Sequence, residues 1–321
     1  MSSTRAPLQA ATLALAAVLA LSACGGTSDT ASGAEPPASA GDAAFPRTVE
    51  HAMGQTEIPE QPERVVVLDT GELDSVLSLG VVPVGAVTTD VSEEFLSYLA
   101  ADAEGVEVVG TIAEPNLEEI AALAPDLILS NKVRHEEIYG QLSQIAPTVF
   151  AETVGAAWKD NFTLAAEALG LENEGADALA DYEAAAAELG EAIGDPAGTT
   201  VSAMRFVEGT IRVYTPASFI GTVLADIGLE QLALPVQDVP TFAELSAEEV
   251  TLADADVVLY SSYGPAEDSG ETAALAGPLW PRLSAVQDGR AHAVEDDVFF
   301  TGIGLTAASL QVEDLAKQLA G

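Results

Sequence analysis

One cysteine, three histidines and a 5% share of aromatic residues are all that the 321-residue chain offers to redox, metal and stacking chemistry. A single cysteine excludes a disulfide framework. The histidines, His51, His135 and His292, lie in separate segments, and no His/Cys/carboxylate spacing resembles a zinc, copper or haem site. Signatures of catalysis are missing too. There is no G-x-S-x-G elbow, no Walker loop and no G-x-G-x-x-G after a strand. Acidic pairs such as Glu118-Glu119 read as solvated helix residues rather than an acid–base couple. Positive charge is scarce, with 11 Lys and Arg against 51 Asp and Glu and a formal charge of −40. Such a surface repels nucleic acid and anionic headgroups, so DNA and RNA binding is excluded.

Long apolar runs are absent as well. The stretch "AATLALAAVLAL" (10–21) is too short for a bilayer-spanning helix, which needs about 20 residues. With Arg5 before it and "LSAC" (21–24) at its end, it reads as a secretory signal over residues 1–23. Leu-Ser-Ala-Cys resembles the lipobox of bacterial lipoproteins, which makes Cys24 the lipidated first residue of the mature chain. Residues 24–44 are rich in Gly, Ser, Ala, Thr and Pro and read as a flexible tether. The mature 24–321 chain exceeds one comfortable core and suits two lobes.

From Arg64 onward, short β-branched runs alternate with helical spacing. "RVVVLD" (64–69), "VVPVGAV" (81–87), "GVEVVG" (105–110), "DLILS" (126–130) and "TVFAE" (148–152) read as strands. The segments 72–79, 93–101, 116–124 and 136–145 read as the helices between them. A second set follows residue 200: strands in "TVSAMRF", "IRVYT", "DVVLYS" and "AHAVE", with helices in "SFIGTVLADIGL" and "GLTAASLQVEDLAKQLA". Between the sets, Leu179, Tyr182, Ala186, Leu189 and Ile193 recur at helical spacing. The expected architecture is α/β: two parallel-sheet lobes, 45–170 and 196–321, joined by a single long helix over 171–195. An internal echo supports it, because "EEIAALAPDLIL" (118–129) aligns without a gap on "EEVTLADADVVL" (248–259). Each copy has an aspartate, Asp126 or Asp256, where helix passes to strand.

Open α/β sheets bind ligands at the carboxyl ends of their strands. The loop after "DLIL" holds Lys132 and Arg134, two apart and expected to point the same way from an extended loop; His135 follows them. The echo's loop in the second lobe holds Tyr263. "AWKDNF" sets Trp158 and Lys159 beyond a strand end, and "MRFVEGTIRVYTP" reads as a hairpin carrying Arg205, Arg212 and Tyr214. A cleft so lined suits an organic ligand rich in oxygen atoms. Phe299, Phe300 and Trp280 read as core packing.

These segments, with "FPRTVEHAMGQTEIPEQPERVVVLD" (45–69), "LWPRLSAVQDGRAHAV" and "GIGLTAASLQVEDL", resemble the substrate-binding lipoproteins of bacterial iron–siderophore ABC importers, particularly actinobacterial ones. The likeness covers 45–321. It implies a monomeric receptor, not an enzyme, anchored by lipid on Cys24 to the outer face of the cytoplasmic membrane. Its implied ligand is a ferric siderophore, and iron enters only with that ligand, with no cofactor of the protein's own. The resemblance assigns Lys132, Arg134, Trp158, Arg205, Arg212 and Tyr214 to ligand binding, and Glu118 and Glu248 to docking on the membrane permease. Cobalamin or another organometallic is the rival ligand, since the same architecture serves both. A sensor, or a secreted enzyme using the cleft, is the rival from another class; the enzyme would need a nucleophile–base pair that the sequence does not show.

Overall fold

The computed structural model describes residues 45–234 and 241–320. The expected signal segment, Cys24 and the tether lie outside the described residues. The described chain opens on an antiparallel hairpin, β1 (Arg47–His51) and β2 (Gly54–Ile58). Five strands follow: β3 (Val65–Val67), β4 (Gly85–Thr88), β5 (Glu107–Thr111), β6 (Leu127–Asn131) and β7 (Thr148–Ala151). They form one sheet in the order β5-β4-β3-β6-β7, with every pair parallel. The inner strands are short and mostly apolar because both faces are covered, whereas the edge strand β5 exposes Glu107 and Val108.

Helix α1 (Thr70–Ser78) links β3 to β4 and is capped by Asp69, whose carboxylate accepts from the Thr70 amide. Helix α2 (Leu117–Ala122), capped by Asn116, leads into β6. Beyond β6 come two single turns, α3 (Lys132–His135) and α4 (Tyr139–Leu142), with a 3₁₀ turn between them. The helix expected over 136–145 is thus broken. The one expected over 93–101 is replaced by successive turns, because tertiary bonds take its polar groups. There the Ser97 amide donates to Asp297 and the Tyr98 hydroxyl to Asp74, while Leu96 and Leu99 still face the core.

Helices α5 (Trp158–Leu169) and α6 (Glu172–Ile193) carry the chain to the second sheet. The glycines inside α6 mark its closest approaches. A Cβ on Gly175 would meet Ala166 of α5 at 2.8 Å, and one on Gly190 would strike the Ile227 carbonyl. The second sheet contains β8 (Thr200–Val207), β9 (Thr210–Tyr214), β10 (Glu230–Gln231), β11 (Phe242–Ser246), β12 (Val257–Ser262) and β13 (Ala291–Ala293). Its order is β11-β9-β8-β12-β13, with β10 beside β8. Strands β8, β10, β12 and β13 are its parallel part; β9 folds back on β8 as the expected hairpin, and β11 extends it antiparallel. Helix α7 (Phe219–Ile227) follows β9, the short α8 (Glu271–Leu275) and α9 (Ser284–Gln287) cover the outer face, and α10 (Leu305–Leu319) ends the fold.

The echoed aspartates do the same work in both sheets. Asp126 accepts from the amides of Glu63 and Arg64 just before β3, and Asp256 from the amide and hydroxyl of Thr200 opening β8. Each pins the start of the neighbouring strand.

One apolar cluster runs across both halves. Trp158 and Phe162 of α5 pack with Tyr182 and Leu189 of α6, Phe219 and Val223 of α7, and Leu315 of α10. Asp74 of α1 reinforces it by accepting from the Thr306 and Ala307 amides at the start of α10, at 2.9 and 3.0 Å. Gly304 makes that cap possible, since any Cβ there would overlap the Asp74 carboxylate. Burial raises the Asp74 carboxyl to about 6, and the two amides oppose the rise.

Candidate functional site

The carboxyl ends of both sheets border one cleft of about 310 Å³. In the first sheet β3 and β6 lie side by side although their connections run to opposite edges, which makes their ends a topological switch point. Asp69 and Thr70 follow β3, Thr89 and Asp90 follow β4, and Arg134 follows β6. The facing wall carries Arg205 of β8, Arg212 of β9, Tyr263 after β12, and Phe300, Thr301 and Ile303 after β13. Arg205 and Arg212 are cross-strand partners, which is why they share a face.

The arginines are held differently. Arg205 is 7% exposed. Its Nε donates to Asp296 Oδ1 at 2.7 Å and its second nitrogen to Asp296 Oδ2, a bidentate pair. The Ser261 and Thr301 hydroxyls also donate to Asp296, and the guanidinium lies 4.2 Å from the centre of the Tyr263 ring. Arg212 stacks 4.4 Å over Phe242 and makes a long, 3.4 Å contact with Glu244. Arg134 has a side chain 45% exposed and donates from Nε to Asp69 Oδ2 at 3.2 Å.

Arg134, Arg205, Arg212 and Tyr263 therefore share the cleft. Lys132 does not point with Arg134. Asn131 accepts from the Arg134 amide and winds 132–135 into a helical turn, so the extended-loop reading fails. Lys132 turns instead to Glu152 at 3.0 Å, beside an adjoining depression of about 600 Å³ that also borders Arg134. Trp158 is not a cleft residue. It is 2% exposed in the shared core, with its indole N–H donating to Thr222 of α7, because the first turn of α5 packs on that helix. Lys159 binds Glu183 and Asp226 away from the cleft. Tyr214 is 9% exposed beneath Phe300, their ring centres 4.9 Å apart, and supports the wall from behind. Phe300 both packs and lines the cleft, Phe299 is fully buried, and Trp280 packs edge-on against Tyr260.

His135 is a core residue. Its Nε2 faces the Ile112 carbonyl at 2.7 Å, so that nitrogen carries the proton and Nδ1 accepts from Ser130. Burial lowers its pKa below the ordinary 6.5. Glu118 and Glu248 are both exposed, at the starts of α2 and of the 3₁₀ helix Ala247–Ala253. Glu249, next to Glu248, is occupied in a capping box with Ser246.

Sequence reasoning missed the acids in and behind the cleft: Asp69 and Asp90 line it, Asp296 holds Arg205, and Glu72 is buried beneath. Asp69 and Asp296 lie a few residues beyond β3 and β13, and the strand-end rule applied to acids would have pointed to them. Among the described residues, no group of three His, Cys, Asp or Glu stands where it could hold a metal ion. None of their helices is long and apolar enough to cross a membrane.

Similarity to known proteins agrees with this geometry. The chain is 40% identical over 313 residues to the probable siderophore-binding lipoprotein YfiY of Bacillus subtilis, covering 94% of each. It is 28% identical to the Fe(3+) dicitrate-binding periplasmic protein FecB of Escherichia coli, over 85% of this chain and 90% of that one. The crystal structure of Staphylococcus aureus SirA complexed with staphyloferrin B superposes with a TM-score of 0.76 at 32% identity, over 85% of this chain and 98% of that one. The two-lobe α/β architecture is thus shared with solved binding proteins. The sequence pattern of the periplasmic binding protein family matches residues 65–297, and the chain belongs to that family.

Proposed function

We propose that the protein is an extracytoplasmic receptor that captures a ferric siderophore in this cleft and delivers it to an ABC importer. The observation that carries the reading is the convergence of Arg134, Arg205 and Arg212 on one cleft in a chain of charge −40. Three guanidinium groups lining the cleft match the oxygen atoms of a ferric complex, with Tyr263 and Phe300 covering its apolar parts. The siderophore's own oxygens hold the iron, so the protein needs neither a metal site nor a catalytic group. Similarity to proteins named for siderophore and ferric dicitrate binding supports the same ligand class.

Lipidation of Cys24 anchors the receptor to the outer face of the membrane, a reading supported by Leu-Ser-Ala-Cys and by the lipoprotein relative. Exposed Glu118 and Glu248, one on each lobe and without side-chain partners among the described residues, dock on cations of the permease. The receptor works as a monomer, with lobes 45–170 and 196–321 about the 171–195 helix.

The test is calorimetric titration of residues 45–321 with ferric hydroxamates, ferric citrate, ferric catecholates, their iron-free forms and cobalamin. Fluorescence is the poorer probe, since Trp158 and Trp280 are both buried outside the cleft. Saturable binding of one ferric class is expected. Binding of cobalamin alone, or of nothing, overturns the assignment. Reversing Glu118 and Glu248 together to Lys should leave that binding intact and abolish uptake in cells.

A further inference from the structure

Directly beneath the cleft, α1 buries a second carboxylate that ligand capture has not so far required. Glu72 is 7% exposed, one turn on from Asp69. The two acids are bridged by one amide: Asn131 Nδ2 donates to Asp69 Oδ2 at 3.0 Å and to Glu72 Oε1 at 3.2 Å. Asp69 Oδ2 also accepts from Arg134, so Glu72, Asn131, Asp69 and Arg134 form a chain from the interior to the cleft. The other oxygen, Glu72 Oε2, is buried without a partner among the described residues. Glu72 borders a cavity of about 20 Å³, room for one water, lined also by Asp69, Trp158, Asn161, Ile303 and Gly304.

The charges around Glu72 are few. Helix α1 contributes Asp69 and the β6–α3 junction contributes Arg134 with neutral Asn131. Helix α5 presents neutral Trp158 and Asn161, and the segment before α10 presents Ile303 and Gly304. One cation thus faces two acids. Burial first, and then the charge of Asp69, raise the Glu72 carboxyl from 4.5 to about 8. At neutral pH Glu72 is uncharged and Arg134 answers to Asp69 alone.

We propose that Glu72 is a positioning residue for Arg134: when neutral it leaves the guanidinium free to turn toward an anionic ligand, and when ionised it draws that guanidinium back from the cleft. Capture of a negatively charged ligand is therefore coupled to retention of one proton on Glu72, and alkaline conditions loosen the ligand. The ligand half of this statement rests on the receptor reading above; the coupling of Glu72 to Arg134 does not.

Two measurements separate those parts. In ligand-free protein, the Arg134 Nε–Hε resonance should shift with a midpoint near pH 8, as should the side-chain carboxyl carbon of Glu72. In Glu72→Gln the Arg134 shift should vanish. An Arg134 signal that ignores pH 7–9, or moves equally in the variant, overturns the coupling whatever the ligand is. Should the variant fail to fold, the two wild-type midpoints must still coincide, and divergence overturns it. Second, calorimetry with ferric citrate and a ferric catecholate, both anionic, compares wild type with Glu72→Gln at pH 7 and 9. The wild type should lose on the order of tenfold more affinity than the variant for whichever anionic complex binds. Both proteins meet the same probe, so its own protonation cancels. Equal losses overturn the ligand half. Binding of neither probe at pH 7 rejects that half together with the receptor reading for these classes and leaves the resonance test to decide the rest.

Discussion

The two walls of the cleft use the same side chain in opposite ways. Arg205 is fixed in place before any ligand arrives: it is buried, paired bidentately with Asp296 and covered by Tyr263. Arg134 keeps nearly half its side chain in solvent and holds Asp69 through one 3.2 Å contact. A buried guanidinium needs its partner to exist in the fold at all, whereas an exposed one gains little from its partner and can exchange it for a ligand. The wall built on β8 thus supplies a fixed, oriented charge. The wall after β6 supplies an adjustable one, and behind it lies a buried acid able to change its charge.

The contrast is broken most severely at Asp296. Replacing it with Ala leaves Arg205 buried without its counter-charge and should cost about 3–5 kcal/mol of stability. Denaturant unfolding reads this, and a loss below about 1 kcal/mol would mean that Arg205 is solvated like Arg134. The next effect is pH-dependent. The folded Glu72 carboxyl sits near 8 against 4.5 when unfolded, so the folded state holds the proton more tightly between those values. The Glu72 contribution to stability must therefore fall as pH rises from about 4.5 to about 8 and level off above, by a few kcal/mol in all. Glu72→Gln should remove that slope and be the more stable protein at pH 8.5. Thermal melts of both proteins across pH 5–9 decide it, and parallel curves would show that Glu72 titrates normally.

Much of this arrangement was legible in the sequence, and the remainder was hidden for physical reasons. Alternating short β-branched runs and helical spacing announced the α/β layers, because strands covered on both faces need apolar runs. The strand-end rule and the expected hairpin put Arg134, Arg205, Arg212 and Tyr263 near the same edge of the fold, where the cleft gathers them. Lys132 escaped because one capping bond from Asn131 turned its loop into helix. Trp158 escaped because the rotation of α5 about its axis is set by packing on α7, a contact between residues 64 positions apart. Asp69, Glu72 and Asp296 were lost among 51 acids, where composition marks none as special. The turns at 93–101 show tertiary bonds to Asp74 and Asp297 overriding a helical pattern.

Smaller effects sharpen the contrast within the first wall. Arg134→Ala removes a half-exposed group but leaves buried Asp69 with only the Thr70 and Asn131 donors, so stability should fall by about 1–3 kcal/mol, less than at Asp296. Affinity for the ferric ligand should fall on the order of 10- to 100-fold, because a charge-assisted contact is lost. The same titration applied to Arg205→Ala would mix binding with unfolding, which makes Arg134 the cleaner probe of recognition. A variant that binds as the wild type does would move recognition to the wall of β8 and β9.

The least change is expected at Lys132, and its smallness is informative. Lys132 and Arg134 are neighbours on one turn, both cationic and both near a strand end, so a purely electrostatic cleft would use them alike. The turn separates them: Arg134 faces Asp69 and the cleft, while Lys132 faces Glu152 over the adjoining depression. Exposed pairs of this kind contribute little, and a charge beyond the cleft acts on the ligand through screening solvent. Lys132→Ala should therefore weaken binding by less than about threefold, and raising the salt from 0.05 to 0.5 M should erase even that difference. A larger, salt-resistant loss would mean that the ligand extends past Arg134 into the depression, and that recognition reaches along the whole turn rather than stopping at the arginine.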